Sequence, residues 1–432
     1  MKKILIISLM CIMAFTGLYA QGSNEVAESS ATEITLWTYP IGTWGGTTPT
    51  TEAMIASFEA AHPDIKVKVQ YLDYTSGDDK VTSAIAGGTT PDLIMEGPER
   101  LVANWGAKGL LVPLNDLWTD SVTADIKAVS TSVVDACKGA DGNFYEMPLA
   151  MTAHTMAINY DIFEAAGALK YIDEETRTWT TENFIKALKA IKDSGLVQIP
   201  GIIYSNGVGG DQGTRALFNN LYSGSFTNAA FTEYTANSPE NKKAFAEFRN
   251  LIDAGLMIHD PSLAGGDEIN QFVNLTSAMT FCWNAALAGQ ADKQPREGFT
   301  PYPMAFPSDD GVPELCGGMW GFGIFDNDDA AKVDAAKKFI QFMCDDAAQG
   351  KISVAATSFF PVRASQSDVY KGAANEAIID EYSTFLTYLG PYYNVIGNWT
   401  EARTGWWNLM QQVYSGADID EATQAFVDAV NP

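Results

Sequence analysis

The chain has 432 residues, 46% of them hydrophobic, and its 53 acidic against 27 basic side chains give a formal net charge of −26 at pH 7. An acidic surface of this kind repels phosphate backbones and anionic lipid, which argues against nucleic-acid and membrane-surface binding. The length suits two lobes or domains of about 150 to 200 residues each.

Lys2 and Lys3, the apolar run from Ile4 to Phe15 and the small-residue end at Gly17 to Ala20 read as a secretory signal peptide over residues 1–20. The run is too short to span a bilayer, which takes about 20 helical residues. Cys11 follows Met10 inside it, where lipid attachment wants a small residue, so lipoprotein anchoring is not expected. Cleavage after Ala20 removes two lysines and no acids and shifts the charge from −26 to −28. Residues 21–32 are small and polar and suit a flexible leader. Cys137, Cys282, Cys316 and Cys344 remain, and their spacing chooses neither a disulfide pairing nor free thiols.

A strand is predicted at Ile34 to Trp37, followed by a loop from Thr38 to Thr47. Thr48 as N-cap and Pro49 at the first helical position start a helix with Met54, Ile55, Phe58 and Ala61 on one face, and Pro63 stops it. Ile65, Val67, Val69 and Tyr71 alternate with polar residues as in a half-buried strand. A helix from Asp78 to Ala86, closed by Gly87 and Gly88, and a strand from Asp92 to Met95 follow, then a helix from Pro98 to Lys108. This alternation implies mainly parallel sheet covered on both faces, with ligands beyond the carboxyl ends of the strands. The loops after Trp37, Tyr71 and Met95 are therefore the ones to watch. Further strands are expected at Phe144 to Ala150, Thr155 to Asn159, Ala278 to Phe281 and Trp320 to Phe325. Helices are expected after Thr180, after Ser238-Pro239, at Val333 to Met343 and through Trp399 to Val430.

Over nearly its whole mature length the chain resembles the extracellular solute-binding proteins of carbohydrate ABC transporters, the maltose-binding-protein-like group. The likeness rests on Phe58-Glu-Ala-Ala-His-Pro63, Ala86-Gly-Gly-Thr-Thr-Pro91-Asp92, Gly109-Leu-Leu-Val-Pro113-Leu and Gly142-Asn-Phe-Tyr145-Glu-Met-Pro148. It continues with Ile158-Asn-Tyr-Asp161-Ile-Phe, Thr178-Trp179-Thr, Gly317-Gly-Met-Trp-Gly-Phe-Gly-Ile324 and Ala335-Ala-Lys-Lys-Phe-Ile340. The resemblance implies a two-lobe α/β fold, each lobe a mostly parallel sheet flanked by helices, closing on a ligand about a hinge. Carried over, one lobe comprises residues 31–150 and 322–358 and the other 151–321 and 359–432, with crossings near Ala150, Trp320 and Phe360. It further implies a monomeric periplasmic receptor that passes a carbohydrate to membrane permease subunits and needs neither cofactor nor metal.

Sugars present apolar C–H faces and a rim of hydroxyls, so their sites combine flat aromatic rings with planar polar groups. Tyr39 and Trp44 in the first loop fit that demand. Glu99 and Arg100 match an acid and an arginine that the family's maltose-binding members place on the sugar, whereas Glu96 stands where those members carry a stacking tryptophan. An exposed ion pair at a helix start is the alternative account of Glu99 and Arg100. Thr152 replaces a glutamate contact, and His154 lies beside it. Trp283 and Asn284 fall near the family's aromatic contact, and Trp320 between glycines is the best stacking candidate. Arg363, Trp399 and Arg403 complete the expected set. GxSxG, HExxH and Walker A patterns are absent and the histidines at 62, 154 and 259 are scattered, which leaves a glycoside hydrolase, needing only two carboxylates, as the competing class, and a receptor for a polyol or glycerol phosphate as the alternative among binding proteins.

Overall fold

The computed structural model describes residues 31–74, 76–207, 209–390 and 396–431. The expected signal peptide and most of the expected leader lie outside the described residues, and Thr32 already belongs to the first strand. The strands in chain order are β1 (Thr32–Thr38), β2 (Ile65–Tyr71), β3 (Leu93–Glu96), β4 (Met147–Ala153), β5 (Thr155–Asn159) and β6 (Ile202–Tyr204). They continue with β7 (Ile258–Asp260), β8 (Met279–Trp283), β9 (Pro301–Met304), β10 (Gly317–Ile324) and β11 (Phe360–Pro361).

The architecture is a two-lobe α/β fold. The larger sheet has six strands in the order β11-β4-β10-β3-β1-β2. β2, β1 and β3 are parallel, as expected, but β10 runs antiparallel to both β3 and β4, and β11 antiparallel to β4. Parallel neighbours need a crossover helix between them, and only the first three strands are joined by single crossovers. β10 comes in from the far end of the chain and lies the other way. A second, three-stranded sheet, β8-β5-β9, is antiparallel, and β6 and β7 form a separate parallel pair.

Local chemistry accounts for the elements that flank the large sheet. Thr48 caps the helix Pro49–Ala61 by accepting from the Thr51 N–H, and the helix buries Met54 and Phe58. Phe58 meets Phe339 of the helix Ala330–Cys344 edge-on at 5.1 Å, and Phe339 meets Phe322 of β10 at 5.8 Å. These rings form the apolar layer on one face. The helix Gly77–Gly87 ends at Gly88 in the left-handed region. Pro98 to Arg100 opens as α-helix and continues as a π-helical turn over Leu101–Gly106, a local winding the sequence did not announce.

Around the smaller sheets lie the helices Thr181–Ser194, Asp211–Leu221, Pro239–Asp253, Gly265–Val273, Trp399–Tyr414 and Ile419–Val430. Phe218, Phe245, Phe248 and Trp406 interlock at their centre, with the Phe218 and Phe248 rings 4.4 Å apart. No disulfide joins Cys137, Cys282, Cys316 or Cys344. Among the described residues no helix is long and apolar enough to cross a membrane.

Candidate functional site

The carboxyl ends of β1, β2 and β3 bring an aromatic cluster and an ion network together. Tyr39, just past β1, stacks on Tyr74, three residues past β2, with centroids 5.2 Å apart and planes 19° from parallel. Trp320 of β10 stands 6.3 Å from Tyr39 and 6.1 Å from Tyr74. Tyr74 leaves 41% of its surface exposed and Trp320 is half-buried, so the cluster is partly open although Tyr39 is buried. Gly77 permits this arrangement, because a Cβ there would stand 2.5 Å from the Tyr39 ring.

The network begins one residue later. Arg100 grips Asp78 with Nη2 at 2.7 Å from both carboxylate oxygens, and its Nε and Nη1 lie 3.3 Å from Glu96 and Glu99. Arg100 is 5% exposed and the Glu99 side chain 17%, so these two form a largely buried pair and not an exposed one at a helix start. Arg403, on the helix Trp399–Tyr414, reaches Asp78 at 3.2 Å with Nη1 and Asp211 at 3.0 Å with Nη2. Arg215 completes the chain with a 2.9 Å contact to Asp211, and its guanidinium lies 4.3 Å above the Trp399 ring. The path Glu96, Arg100, Asp78, Arg403, Asp211, Arg215 thus joins the end of β3 to the helix Asp211–Leu221.

Charge state follows from burial and neighbours. Burial pushes Asp78 up, but Arg100 and Arg403 outweigh it and hold its carboxyl below the usual range. Asp211 is likewise pushed up by burial and brought below its ordinary value by Arg215 and Arg403. Glu96 goes the other way: burial dominates over Arg100, with Glu99 and Asp78 adding like charge, and its pKa rises to about 7. Four carboxylates face three guanidinium groups here, and a partly protonated Glu96 offsets the surplus. Glu146, fully buried with both carboxyl oxygens unpartnered, is driven well above the ordinary range by burial and then by Glu99 and Glu96. Burial pulls His154 down to about 4 against the charge of Asp211, so its imidazole is neutral at neutral pH. A Cβ on Gly318 would stand 3.1 Å from His154 Nε2 and 3.3 Å from Thr152 Cγ2, so those two side chains border the bare strand at Gly318.

The structure therefore gathers Tyr39, Glu96, Glu99, Arg100, Trp320, Trp399 and Arg403, with His154 and Thr152 alongside β10. It does not bring in the others. Trp44 is a core residue, edge-on to Phe322 at 6.3 Å with its indole N–H on the Met95 sulfur. Trp283 is also fully buried, packing on Phe272 and donating to the Tyr382 hydroxyl at 2.6 Å. Asn284 is used as the N-cap of the short helix Ala285–Ala288. Arg363 is buried against Asp345 and the Met147 sulfur. Trp407 packs on Tyr204 and Trp406 donates to Thr214, so of the three terminal tryptophans Trp399 alone lies beneath guanidinium groups.

Sequence reasoning missed Tyr74, Asp78, Glu146, Asp211 and Arg215. Tyr74 sits in one of the strand-end loops already marked, and Asp78 was read only as the first residue of its helix. Asp211 and Arg215 lie on the helix Asp211–Leu221, which was not among the elements expected from the sequence. Among the described residues no group of three or more His, Cys, Asp or Glu side chains is placed to hold a metal ion.

Residues 44–350 match the family of bacterial extracellular solute-binding proteins. The chain belongs to this family. A binding protein of Brucella abortus is 30% identical over 123 residues, which are 28% of this chain and 28% of that one. Among solved structures, this solute-binding protein superposes on the GacH receptor of Streptomyces glaucescens with a TM-score of 0.72 at 18% identity, covering 92% of this chain and 97% of the other. It superposes on an ABC transporter solute-binding protein of Thermotoga lettingae with a TM-score of 0.73 at 18% identity, covering 93% and 99%. At such identities the likeness is one of fold.

Proposed function

We propose that this solute-binding protein captures a carbohydrate in a cleft between its two lobes and delivers it to the membrane permease of an ABC transporter. The observation that carries the reading is the pairing of the Tyr39, Tyr74 and Trp320 rings with the ion network that starts at Asp78. A partly open ring cluster suits the C–H face of a pyranose, and carboxylates beside guanidinium groups suit its hydroxyl rim. The Streptomyces glaucescens receptor was solved in complex with acarbose and the Thermotoga lettingae protein with alpha-D-tagatose, which supports a sugar as ligand class.

The lobes are residues 31–150 with 322–358 and residues 151–321 with 359–432. Ala150 is the cross-strand partner of both Trp320 and Pro361, so the three expected crossings lie side by side in β10, β4 and β11. In this reading the hinge is the level at which these three adjacent strands cross from one lobe to the other. Closure brings Arg403 to Asp78, and the ligand acts by favouring that closed state over the open one. The protein works as a monomer in the periplasm after losing its signal peptide.

A panel of neutral sugars, assayed for thermal shift and for product, tests the proposal. At least one sugar should raise the melting temperature and be recovered unchanged. Turnover of that sugar, or no shift with any, would overturn it.

A further inference from the structure

The guanidinium groups of the ion network are committed to the protein's own carboxylates. Arg100 places Nε and Nη2 on Asp78 and Nη1 on Glu99. Arg403 places Nε and Nη2 on Asp211 and Nη1 on Asp78. Arg215 is 1% exposed and reaches Asp211 with Nη2. An anionic ligand such as a sugar phosphate would have to displace a carboxylate from each arginine nitrogen it touched, leaving a largely buried charge without its partner.

The acceptors are less fully used. A carboxylate accepts about four hydrogen bonds. Glu99 receives Arg100 Nη1 at 3.3 Å, longer than the roughly 2.7 to 2.9 Å of a charge-assisted bond, and 17% of its side chain stays exposed. A Cβ on Gly97 would collide with Glu99 Oε2, so this carboxylate lies over bare backbone next to Glu96. The rings are at the same place, because Gly321 is the cross-strand partner of Glu96 and Trp320 adjoins it along β10. Burial raises the Tyr39 hydroxyl above its ordinary range and the charges of Glu96 and Asp78 raise it further, which sets both carboxylates near the stacked tyrosines. Electron-rich rings attract a cation brought within about 6 Å of their centres, the indole most strongly.

Asp78, Glu96, Glu99 and Asp211 oppose Arg100, Arg215 and Arg403, so the fully ionised network is one positive charge short. Burial first, and then Glu99 and Asp78 against the pull of Arg100, hold the Glu96 carboxyl at about 7, as expected where positive charge is lacking. We infer that the sugar taken by this site carries a protonated amine, and that Glu99 is the carboxylate that selects for it. The inference rests on the carbohydrate reading above and adds the ligand's charge to it. The ammonium donates to Glu99 and supplies the fourth positive charge, with Tyr74 and Trp320 as the partly open rings beside it. A neutral hydroxyl also donates to Glu99, but it leaves the shortfall of charge in place.

Calorimetric titration at neutral pH with glucosamine, galactosamine and mannosamine, each beside its parent sugar and its uncharged N-acetyl form, tests this. The amine that binds best should bind at least about tenfold tighter than both of its uncharged counterparts. Glu99→Gln keeps the shape of the side chain and removes its charge, and should reduce that preference to about twofold or less. A wild-type preference near one would overturn the inference and leave the carbohydrate reading standing, and this ratio decides even if the variant does not fold. Full preference retained in folded Glu99→Gln would overturn the assignment to Glu99. Binding by no sugar, charged or neutral, would instead sink the carbohydrate reading, and the inference with it.

Discussion

Trp320→Ala and Trp44→Ala delete the same side chain from two environments and should separate binding from stability. Trp44 is fully buried, edge-on to Phe322 and hydrogen-bonded to the Met95 sulfur. Truncating such a core indole costs about 3 to 5 kcal/mol, because the lost transfer free energy is joined by a cavity. Trp320 is only half-buried, and its main ring neighbours are Tyr39 and Tyr74 at 6.3 and 6.1 Å. Aromatic pairs are worth about 0.5 to 1.5 kcal/mol each, so its loss should cost about 1 to 3 kcal/mol of stability. Binding should respond in the opposite order. An aromatic anchor at the centre of a site typically contributes 2 kcal/mol or more, and at about 1.4 kcal/mol per tenfold this is roughly a 30-fold loss of affinity for Trp320→Ala. Urea melts give the first quantity, and calorimetric titration with the sugar that produces the largest thermal shift gives the second. The reasoning fails if Trp320→Ala binds that sugar within twofold of the wild type, or if folded Trp44→Ala loses as much affinity.

Three further outcomes are expected. The Glu96 carboxyl is raised to about 7 in the folded chain, chiefly by burial, so the folded state binds more protons than the unfolded one and stability declines as pH climbs from about 4.3 to 7. Glu96→Gln should therefore stabilise by up to about 3 kcal/mol at pH 8 and far less at pH 5, and an equal gain at both in urea melts would contradict this. Arg403→Met leaves Asp78 with Arg100 and Asp211 with Arg215, so its cost should be about 2 kcal/mol rather than the 3 to 5 of an isolated buried pair, with a loss above 5 telling against the shared network. Ser238→Ala removes the cap that accepts from the Asn241 N–H at 3.2 Å and should cost about 1 kcal/mol, visible as a melting point a few degrees lower.

Elements with local punctuation were legible in the sequence. Thr48-Pro49, Thr180 and Ser238-Pro239 each cap a helix where the pattern placed one, and the alternation at Ile65 to Tyr71 is the edge strand β2. The helix Asp211–Leu221 was not legible, and the reasons are physical. It starts after Gly210 in the left-handed region with no side-chain cap, and it carries Gly213 in its first turn. Every residue from Gly213 to Leu221 is buried, so Thr214, Arg215, Asn219 and Asn220, which read as a solvent-facing side, lie inside the protein. Gly213 is required there, since a Cβ would stand 2.0 Å from the Phe281 carbonyl oxygen of β8. Asp211 and Arg215 were hidden along with their helix, and one end of the ion network with them. Trp44 and Trp283 failed in the reverse sense: residue type suggested a sugar platform, but side-chain direction, which residue type does not encode, turned both into the core.

β10 occupies an interior slot of the large sheet, between β3 and β4, although its residues 317–324 are made long after theirs. A growing chain consequently carries the three strands β2, β1 and β3 and the lone strand β4, each with an unpaired edge, until residue 317 is made. Joining them requires a contact between segments more than a hundred residues apart, which is a slow kind of closure. Order of synthesis and order of assembly are thus different in this protein. A fragment ending before residue 317 should behave as an aggregating intermediate and not as a small stable lobe.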